Sequence, residues 1–461
     1  MDQPGGDGEA EELFGTAGIR GDVRTRVTPE FALRVATAAG REGGEFVVGR
    51  DGRESGAALA AAVEAGLTAA GARVVRVGQI PTPTLAFASR GRRGVMVTAS
   101  HNPPTDNGLK FFQDGREYDR DAERRIERLV AEAAPPAEWT AWADVERSDP
   151  LPSYREAVVA YARPLGTSLE GLRTVVDCGN GMGAVTTPRV LAAMGADVIA
   201  LNDNIDGHFP GRESKPTPES LADLRAFVAE DDAMLGFAHD GDADRVVVVD
   251  DDGEVVHEDT VVAILAERYV RSSRAGDPVV VTTPNASARI DERVRAAGGR
   301  VERVRLGALH EGVEAVYEAG SPETAVVFAA EPWKHVHPAF GPWIDGVASV
   351  AVLARLVAAE GLATLREPVT ERPYRKLSVP CPDEHKRPVM AALETTLPES
   401  FPDARVDTEH GVRLELPDGS WLLVRPSGTE PYVRLYAESD DVDGLVERAR
   451  ERIEAAIERA G

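Results

Sequence analysis

The chain has 461 residues, and its 52 basic against 77 acidic side chains give a formal net charge of −25. A field of that sign opposes nucleic acid and anionic membranes, and no run of about 18 apolar residues is present to cross a bilayer. The basic residues are nearly all arginine, which suits a salt-rich cytoplasm that screens charge repulsion or simply a GC-rich genome. Cys178 and Cys381 lie far apart without metal-ligand spacing, the pattern of a reducing cytoplasm and no disulfide framework. The length suggests roughly three domains, and the periodicity adds a fourth, smaller one.

Residues 1–12 are rich in glycine and acid with no apolar stretch, and read as a disordered lead-in and not a signal peptide. Over 13–150, strands and helices alternate: a strand at Glu45-Phe-Val-Val-Gly, an Ala-rich helix from Ser55 to Gly71, and a strand from Arg73. A strand around Val95 and an Arg/Glu-rich helix from Asp119 to Ala133 follow. Pro135-Pro136, Trp139 and Trp142 change the character of the chain, and Asp149-Pro150 marks a linker. A second unit, 151–255, has strands from Thr174 and Asp197, then Ala233–Ala238 and Val246–Val249. A third, 256–370, alternates helices with strands at Pro278, Arg300 and Thr324 and ends in a helix from Asp345. Such alternation predicts βαβ units on mainly parallel sheets. From 371 to 461 the order is strand, helix, short strands at Gly411, Trp421 and Val433, and a helix from Val442, which is α+β.

Four segments carry chemistry. Thr98-Ala-Ser-His-Asn-Pro-Pro, running on to Asn107-Gly-Leu-Lys, puts Ser100 on a sharp turn at the carboxyl end of an apolar strand. Open α/β sheets place ligand chemistry there. The hydroxyl, beside His101 and ten residues before Lys110, either carries a covalent group or belongs to a turn that only reverses the chain. Asp240-Gly-Asp-Ala-Asp-Arg245 places three carboxylates at alternating positions between two apolar strands. They repel one another unless a cation sits between them, and oxygen-only ligands suit Mg²⁺. An EF-hand loop would need Gly and Glu where Arg245 and Asp251 stand; the remaining alternative is a solvated acidic turn. Arg425-Pro-Ser-Gly-Thr-Glu-Pro offers hydroxyls, open backbone N–H groups and a guanidinium, with Arg434 close behind, and reads as a phosphate nest. Phe14-Gly-Thr-Ala-Gly-Ile-Arg20 and Val48-Gly-Arg-Asp-Gly-Arg53 would bring Arg20, Arg50 and Arg53 to the edge of the first sheet near Ser100. Gly179-x-Gly181-x-Gly183 misses the dinucleotide spacing, so glycines for a tight strand–helix turn are the better reading.

The serine turn, the triple aspartate and the Arg-Pro-Ser-Gly-Thr-Glu-Pro loop, in this order, resemble those of the α-D-phosphohexomutase superfamily, from about Phe14 to the C-terminus. The resemblance implies three similar α/β/α domains and a C-terminal α+β domain like TATA-binding protein, around a central cleft. It implies a phosphoserine at Ser100, with Mg²⁺ between its phosphate and Asp240, Asp242 and Asp244. Lys110 matches the family's general acid/base, supported by Arg20 and His101. Arg425, Ser427, Gly428, Thr429 and Arg434 would hold the non-reacting phosphate, and Arg245 matches a position beside the metal loop. Pro81-Thr-Pro and Asp206-Gly-His-Phe-Pro also match family segments.

The third domain departs from the pattern. Where the family usually reads Gly-Glu-x-Ser-Gly-His, this chain reads Ala330-Glu-Pro-Trp-Lys-His335. Glu331 and His335 remain as sugar-binding candidates, while Trp333 either meets the sugar or packs between domains. The preceding Arg305-Leu-Gly-Ala-Leu-His310 lacks polar groups usual in the companion loop. The first expectation is a cytoplasmic mutase interconverting glucose or mannose 1- and 6-phosphates through a sugar bisphosphate, as monomer or homodimer. Glucosamine phosphate or a pentose phosphate is the alternative substrate. A non-catalytic sugar-phosphate-binding regulator and a nicotinamide-dependent dehydrogenase are the readings from other classes.

Overall fold

The structure, a computed structural model, describes residues 12–15, 18–428 and 430–461. The proposed lead-in therefore lies, except for Glu12, outside the described residues. Two compact units emerge: one of residues up to Glu258 with Trp333–Leu362, the other of Asp259–Pro332 with Ala363–Gly461.

The first unit opens with strands β1 (Ile19–Asp22), β2 (Glu45–Arg50), β3 (Arg73–Gln79), β4 (Arg93–Val97), β5 (Asp106–Gln113), β6 (Arg116–Glu117) and β7 (Val145–Arg147). Among the described residues they form one sheet, ordered β1-β5-β4-β2-β3-β7 with β6 on β5. The sheet is parallel from β4 through β2 and β3 to β7, as alternation with helices requires. β5 runs antiparallel between β4 and β1, a reversal the expectation of a mainly parallel sheet lacks. Alternate residues serve opposite faces. Phe46, Val48, Val95 and Val97 pack under helices 29–40, 56–69 and 120–131, while Val47 and Met96 meet Leu85 and Trp343 on the other side. Thr28 caps the 29–40 helix by accepting the Phe31 N–H, and Pro29 starts it at no hydrogen-bond cost.

A second sheet follows in the same unit: β8 (Arg173–Asp177), β9 (Asp197–Leu201), β10 (Leu235–His239) and β11 (Val246–Val249), ordered β11-β10-β8-β9. β8 is parallel to both neighbours, and β11 turns back on β10, so the 240–245 loop joins two antiparallel apolar strands.

In the second unit β12 (Asp277–Thr282) pairs in parallel with β13 (Arg300–Arg303) and β14 (Thr324–Glu331). The short strand β15 (Lys334–Val336) belongs to the first unit. The chain then builds an antiparallel sheet from β16 (Tyr374–Pro380), β17 (Arg405–Asp407), β18 (Val412–Glu415), β19 (Trp421–Pro426) and β20 (Tyr432–Glu438), ordered β16-β20-β19-β18-β17. Leu422, Val424, Val433 and Leu435 form one core with Val389, Leu393 and Leu397 of helix 383–399 and Leu445, Ala449 and Ile453 of helix 442–460. That is the α+β arrangement expected of this segment. Among the described residues no helix is long and apolar enough to cross a membrane.

Candidate active site

Ser100 lies just past the carboxyl end of β4, fully buried, with φ of +51°. A side-chain-bearing residue takes this left-handed conformation at a cost, so its surroundings must hold it there. Its Oγ donates to Asp240 Oδ2 at 2.7 Å and lies 3.4 Å from His101 Nδ1. The 240–245 loop comes this close because residue 241 is glycine: a Cβ there would lie 2.6 Å from Ser100 O.

Asp240, Asp242 and Asp244 are all buried, and each offers a ligand atom within 4.8 Å of the others. Thr82 Oγ1 donates to Asp242 Oδ2 at 2.6 Å. Lys110 Nζ donates to Asp244 Oδ2 at 2.8 Å and to Asp242 Oδ2 at 3.3 Å. Arg245 Nε stands 3.6 Å from Asp240 and 3.8 Å from Asp244. Burial, with Asp244 and Asp242 alongside, pushes the Asp240 carboxyl above the usual carboxylate range. Burial also opposes the charge on Asp244, yet Lys110 and Arg245 hold its carboxyl below the usual range. Asp242 Oδ1 and Asp244 Oδ1 are buried acceptors without a hydrogen bond, and the Nε groups of Arg20 and Arg245 are buried donors without one. Buried polar atoms are normally satisfied. Two unmet acceptors among clustered carboxylates, beside two unmet cationic donors, fit a metal ion and an anion at one site.

The surrounding groups keep that character. Burial, then Arg245 and Arg20, drives His101 down to about 3, so it is neutral beside the serine. Burial opposes the charge on Lys110, but Asp242 and Asp244 outweigh it and raise the amine. Arg20 sits on β1 opposite Gly108 of β5, two residues from Lys110. Lys334 forms a backbone bridge with Arg245 and helps lower Asp244. Trp333, at φ +66°, packs against the core of Val175, Leu224, Ala238 and Val247. His335 is buried, its Nδ1 2.9 Å from Ser349 Oγ, and His337 Nε2 meets the same hydroxyl at 2.9 Å.

In the second unit, Glu331 Oε1 accepts the Gly307 N–H at 2.5 Å and so ties the end of β14 to the 305–310 loop. Arg425 and Arg434 stand directly opposite in the β19–β20 register. Arg425 Nη2 donates to Tyr436 Oη at 3.0 Å, leaving a buried Nε without a partner, while Arg434 pairs with Glu430. Lys386 Nζ holds the connecting loop, donating at 2.6 Å to both the Ser427 and Glu430 carbonyls. A Cβ at Gly428 would meet nothing within 4 Å, so packing does not demand that glycine. Thr429 lies outside the described residues.

The first unit thus brings together Ser100, His101, Lys110, Arg20, Asp240, Asp242, Asp244 and Arg245, with His335 buried on Ser349. The second collects Arg425, Ser427, Gly428 and Arg434 on one loop and strand pair. Two contributions differ from the sequence reading. Arg53 turns its guanidinium inward onto backbone carbonyls and presents no free charge at the sheet edge. Thr82 supports the acidic loop, a role signalled in the sequence only by its place between two prolines at a helix start and by the match of Pro81-Thr-Pro to a family segment.

Comparison with known proteins first fixes the class. Models described as phosphoglucomutase/phosphomannomutase match at alpha/beta/alpha domain I over residues 11–136, domain II over 153–253 and the C-terminal domain over 379–456. The enzymes of this class are mutases, isomerases that act by intramolecular phosphoryl transfer. The chain is 42% identical to a phosphopentomutase of Thermococcus kodakarensis, covering 97% of this chain and 99% of that one. It is 43% identical to a probable phosphoglucosamine mutase of Methanopyrus kandleri, covering 95% and 96%. The crystal structure of a phosphoglucomutase/phosphomannomutase family protein from Burkholderia thailandensis superposes with a TM-score of 0.84 at 28% identity, covering 97% of each chain. The chain belongs to the phosphoglucomutase/phosphomannomutase family of the α-D-phosphohexomutase superfamily. The dehydrogenase alternative falls away with that membership.

Proposed function

We propose that this mutase carries a phosphoryl group on Ser100 and interconverts pentose 1- and 5-phosphates through a pentose bisphosphate. The observation behind the mechanism is the short Ser100–Asp240 contact among unmet carboxylate oxygens and unmet arginine N–H groups. When bound, Mg²⁺ would be held by Asp240, Asp242, Asp244 and an oxygen of the seryl phosphate, and would neutralise the transferring charge. In the forward step the Ser100 Oγ–P bond breaks and a sugar hydroxyl oxygen bonds to phosphorus. The hydroxyl proton ends on Ser100 Oγ, passed by Lys110. The bisphosphate then turns over, its other phosphate returns to Ser100, and the same proton path runs in reverse. Positioning and charge neutralisation do most of this work. Arg20 and Arg245 aim donors at the moving phosphate, with neutral His101 beside the serine. Arg425, Ser427, Gly428, Thr429 and Arg434 would hold the non-reacting phosphate, and Glu331 and His335 would meet the sugar.

The proposed parts are a phosphoserine domain (13–150), a metal-binding domain (151–255), a sugar-recognition domain (256–370) and a phosphate-binding domain (371–461). The cytoplasm is the proposed setting, supported by two buried free thiols.

The pentose reading is supported by the likeness to the Thermococcus enzyme and by the missing Ser-Gly of the usual hexose loop. Glucosamine phosphate is the second reading, favoured by the Methanopyrus relative. Both have better support than glucose or mannose phosphate. The test has two parts. Intact mass and peptide mapping should find one phosphoryl group on Ser100, and Ser100→Ala should lose turnover while keeping its fold; an active Ser100→Ala would sink the mechanism. Assays with Mg²⁺ on ribose, glucosamine, glucose and mannose 1-phosphates should rank ribose first, and glucose or mannose leading would overturn the substrate.

A further inference from the structure

We infer that Arg53, roofed by Phe209, is the positioning residue that holds the Ser100 turn in the geometry phosphoryl transfer needs. The inference rests on the phosphoserine reading above. Arg53 is fully buried, and all five of its guanidinium N–H groups are used. Nε donates to Asp51 Oδ2 at 3.1 Å. Nη1 donates to the carbonyls of Pro103 at 2.5 Å and Asp106 at 2.9 Å. Nη2 donates to those of Ser100 at 2.9 Å and Asn102 at 2.7 Å. A single side chain therefore gathers four carbonyls of the loop that follows the reacting serine.

The other side of Ser100 is held through the same pair. Asp51 Oδ2 also accepts from Thr98 Oγ1 at 2.7 Å, and Thr98 Oγ1 accepts the Ser100 N–H at 2.9 Å. The Ser100 N–H and C=O are thus both pinned to Asp51–Arg53, one directly and one through Thr98, which fixes a φ of +51° that serine does not prefer. Only a planar fork can meet four carbonyls and a carboxylate together; a lysine ammonium has three donors on a point charge.

The segment Asp206-Gly-His-Phe-Pro closes this arrangement. The Phe209 ring lies 5.1 Å from the Arg53 guanidinium carbon, close enough for a cation–π contact. Residue 207 must be glycine, since a Cβ would lie 2.7 Å from Arg53 Cα, Glu54 N and Gly52 O. Ser214 Oγ donates to Asn102 O at 3.0 Å, sharing an acceptor with Arg53. Phe209 also faces the aspartate loop, its ring 3.3 Å from where a Gly241 Cβ would stand. One aromatic side chain thus lies against both Arg53 and Gly241 of the acidic turn that accepts the serine hydroxyl.

The test compares full-length wild type with Arg53→Lys and Phe209→Leu, reading kcat and KM on the best sugar phosphate of the panel. The rate of Ser100 phosphorylation by glucose 1,6-bisphosphate and Mn²⁺ binding to the aspartates are measured alongside. For Arg53→Lys the expected result is a loss in kcat of about 100-fold, the scale of a misplaced reacting group. Ser100 phosphorylation should slow in proportion, with KM and Mn²⁺ affinity unchanged. Phe209→Leu should show a smaller loss with the same split, and it decides the matter if Arg53→Lys does not fold. Wild-type kcat in Phe209→Leu, or losses shared equally by kcat, KM and Mn²⁺ affinity, would overturn the inference. An active Ser100→Ala would instead remove the phosphoserine reading beneath it.

Discussion

Thr82→Val isolates one bond of the acidic loop. Thr82 is buried, and its Oγ1 donates to Asp242 Oδ2 at 2.6 Å while its backbone N–H donates to Asp242 O at 3.0 Å. Valine keeps the shape and the backbone bond and removes only the hydroxyl. Asp242 Oδ2 is then left with the longer 3.3 Å bond from Lys110, and Oδ1 has no hydrogen bond to compensate. A hydrogen bond to a charged acceptor is worth about 1.5–3 kcal/mol, and groups that orient a metal ligand typically carry about 10–100-fold in affinity. The two figures agree, since each tenfold is about 1.4 kcal/mol. Turnover as a function of Mg²⁺ concentration, with direct Mn²⁺ titration by calorimetry, reads the effect. Half-saturation should move up by about 10–100-fold, while kcat at saturating cation recovers, because the hydroxyl touches no reacting atom. Thr82→Ser should behave as wild type. Unchanged cation affinity in Thr82→Val would refute the claim that this bond orients Asp242.

Two further outcomes follow from groups elsewhere. Burial raises the Asp259 carboxyl to about 7, with Arg289 opposing and Glu438 assisting. The folded protein then keeps a proton that the unfolded chain loses near pH 4, so this group's stabilisation is full below that pH and is lost as pH rises toward 7. At about 1.4 kcal/mol per unit the difference is about 4 kcal/mol; Asp259→Asn should flatten the fall in melting temperature between pH 5 and 8, and an unaltered pH profile would contradict it. Trp333→Ser should cost about 2 kcal/mol from a half-buried ring packed against the apolar cluster that includes Val175 and Val247 and leave the ranking of sugar phosphates unchanged. A new ranking would mean the ring reaches the sugar.

What could be read from the sequence follows from where each residue's partners lie along the chain. The Asp240–Asp244 triplet and the Arg425–Pro431 loop are local constellations, and their chemistry is written in consecutive residues. Ser100 was recognisable because a buried strand must end before Asn102-Pro-Pro. Thr82 and Arg53 were not legible in their roles, since Thr82 serves a carboxylate 160 residues away and Arg53 binds carbonyls 47 to 53 residues away. β5 is not legible in the sequence because Asp106-Asn-Gly has the composition of a turn, whereas Leu109, Phe111 and Phe112 are buried in the cores on both faces. The reversal of β5 follows from that strand and places Lys110 between β4 and β1, facing the aspartates. Trp333 was ambiguous for a different reason: an aromatic beside a sugar loop has the same letter whether it packs on a core or on a ligand.

The charge of −25 looks ill-suited to a phosphorylated substrate, yet it acts at a different range from the site. Exposed charges beyond about 8–10 Å are screened at ordinary ionic strength, whereas buried ones are screened far less. Within the buried site, three carboxylates face Lys110 and Arg245, with the Arg20 charge near Lys110 and His101. A seryl phosphate with a divalent cation adds charges that nearly cancel, since a phosphate carries about two negative charges. The proposed phosphorylated site is therefore close to neutral, which is what lets it stay buried. Holding a second phosphate then requires uncompensated positive charge elsewhere in the chain. Arg425, with its buried unpaired Nε, supplies a donor of that kind at the end of β19, where Lys386 holds the carbonyls of Ser427 and Glu430 in the loop that follows.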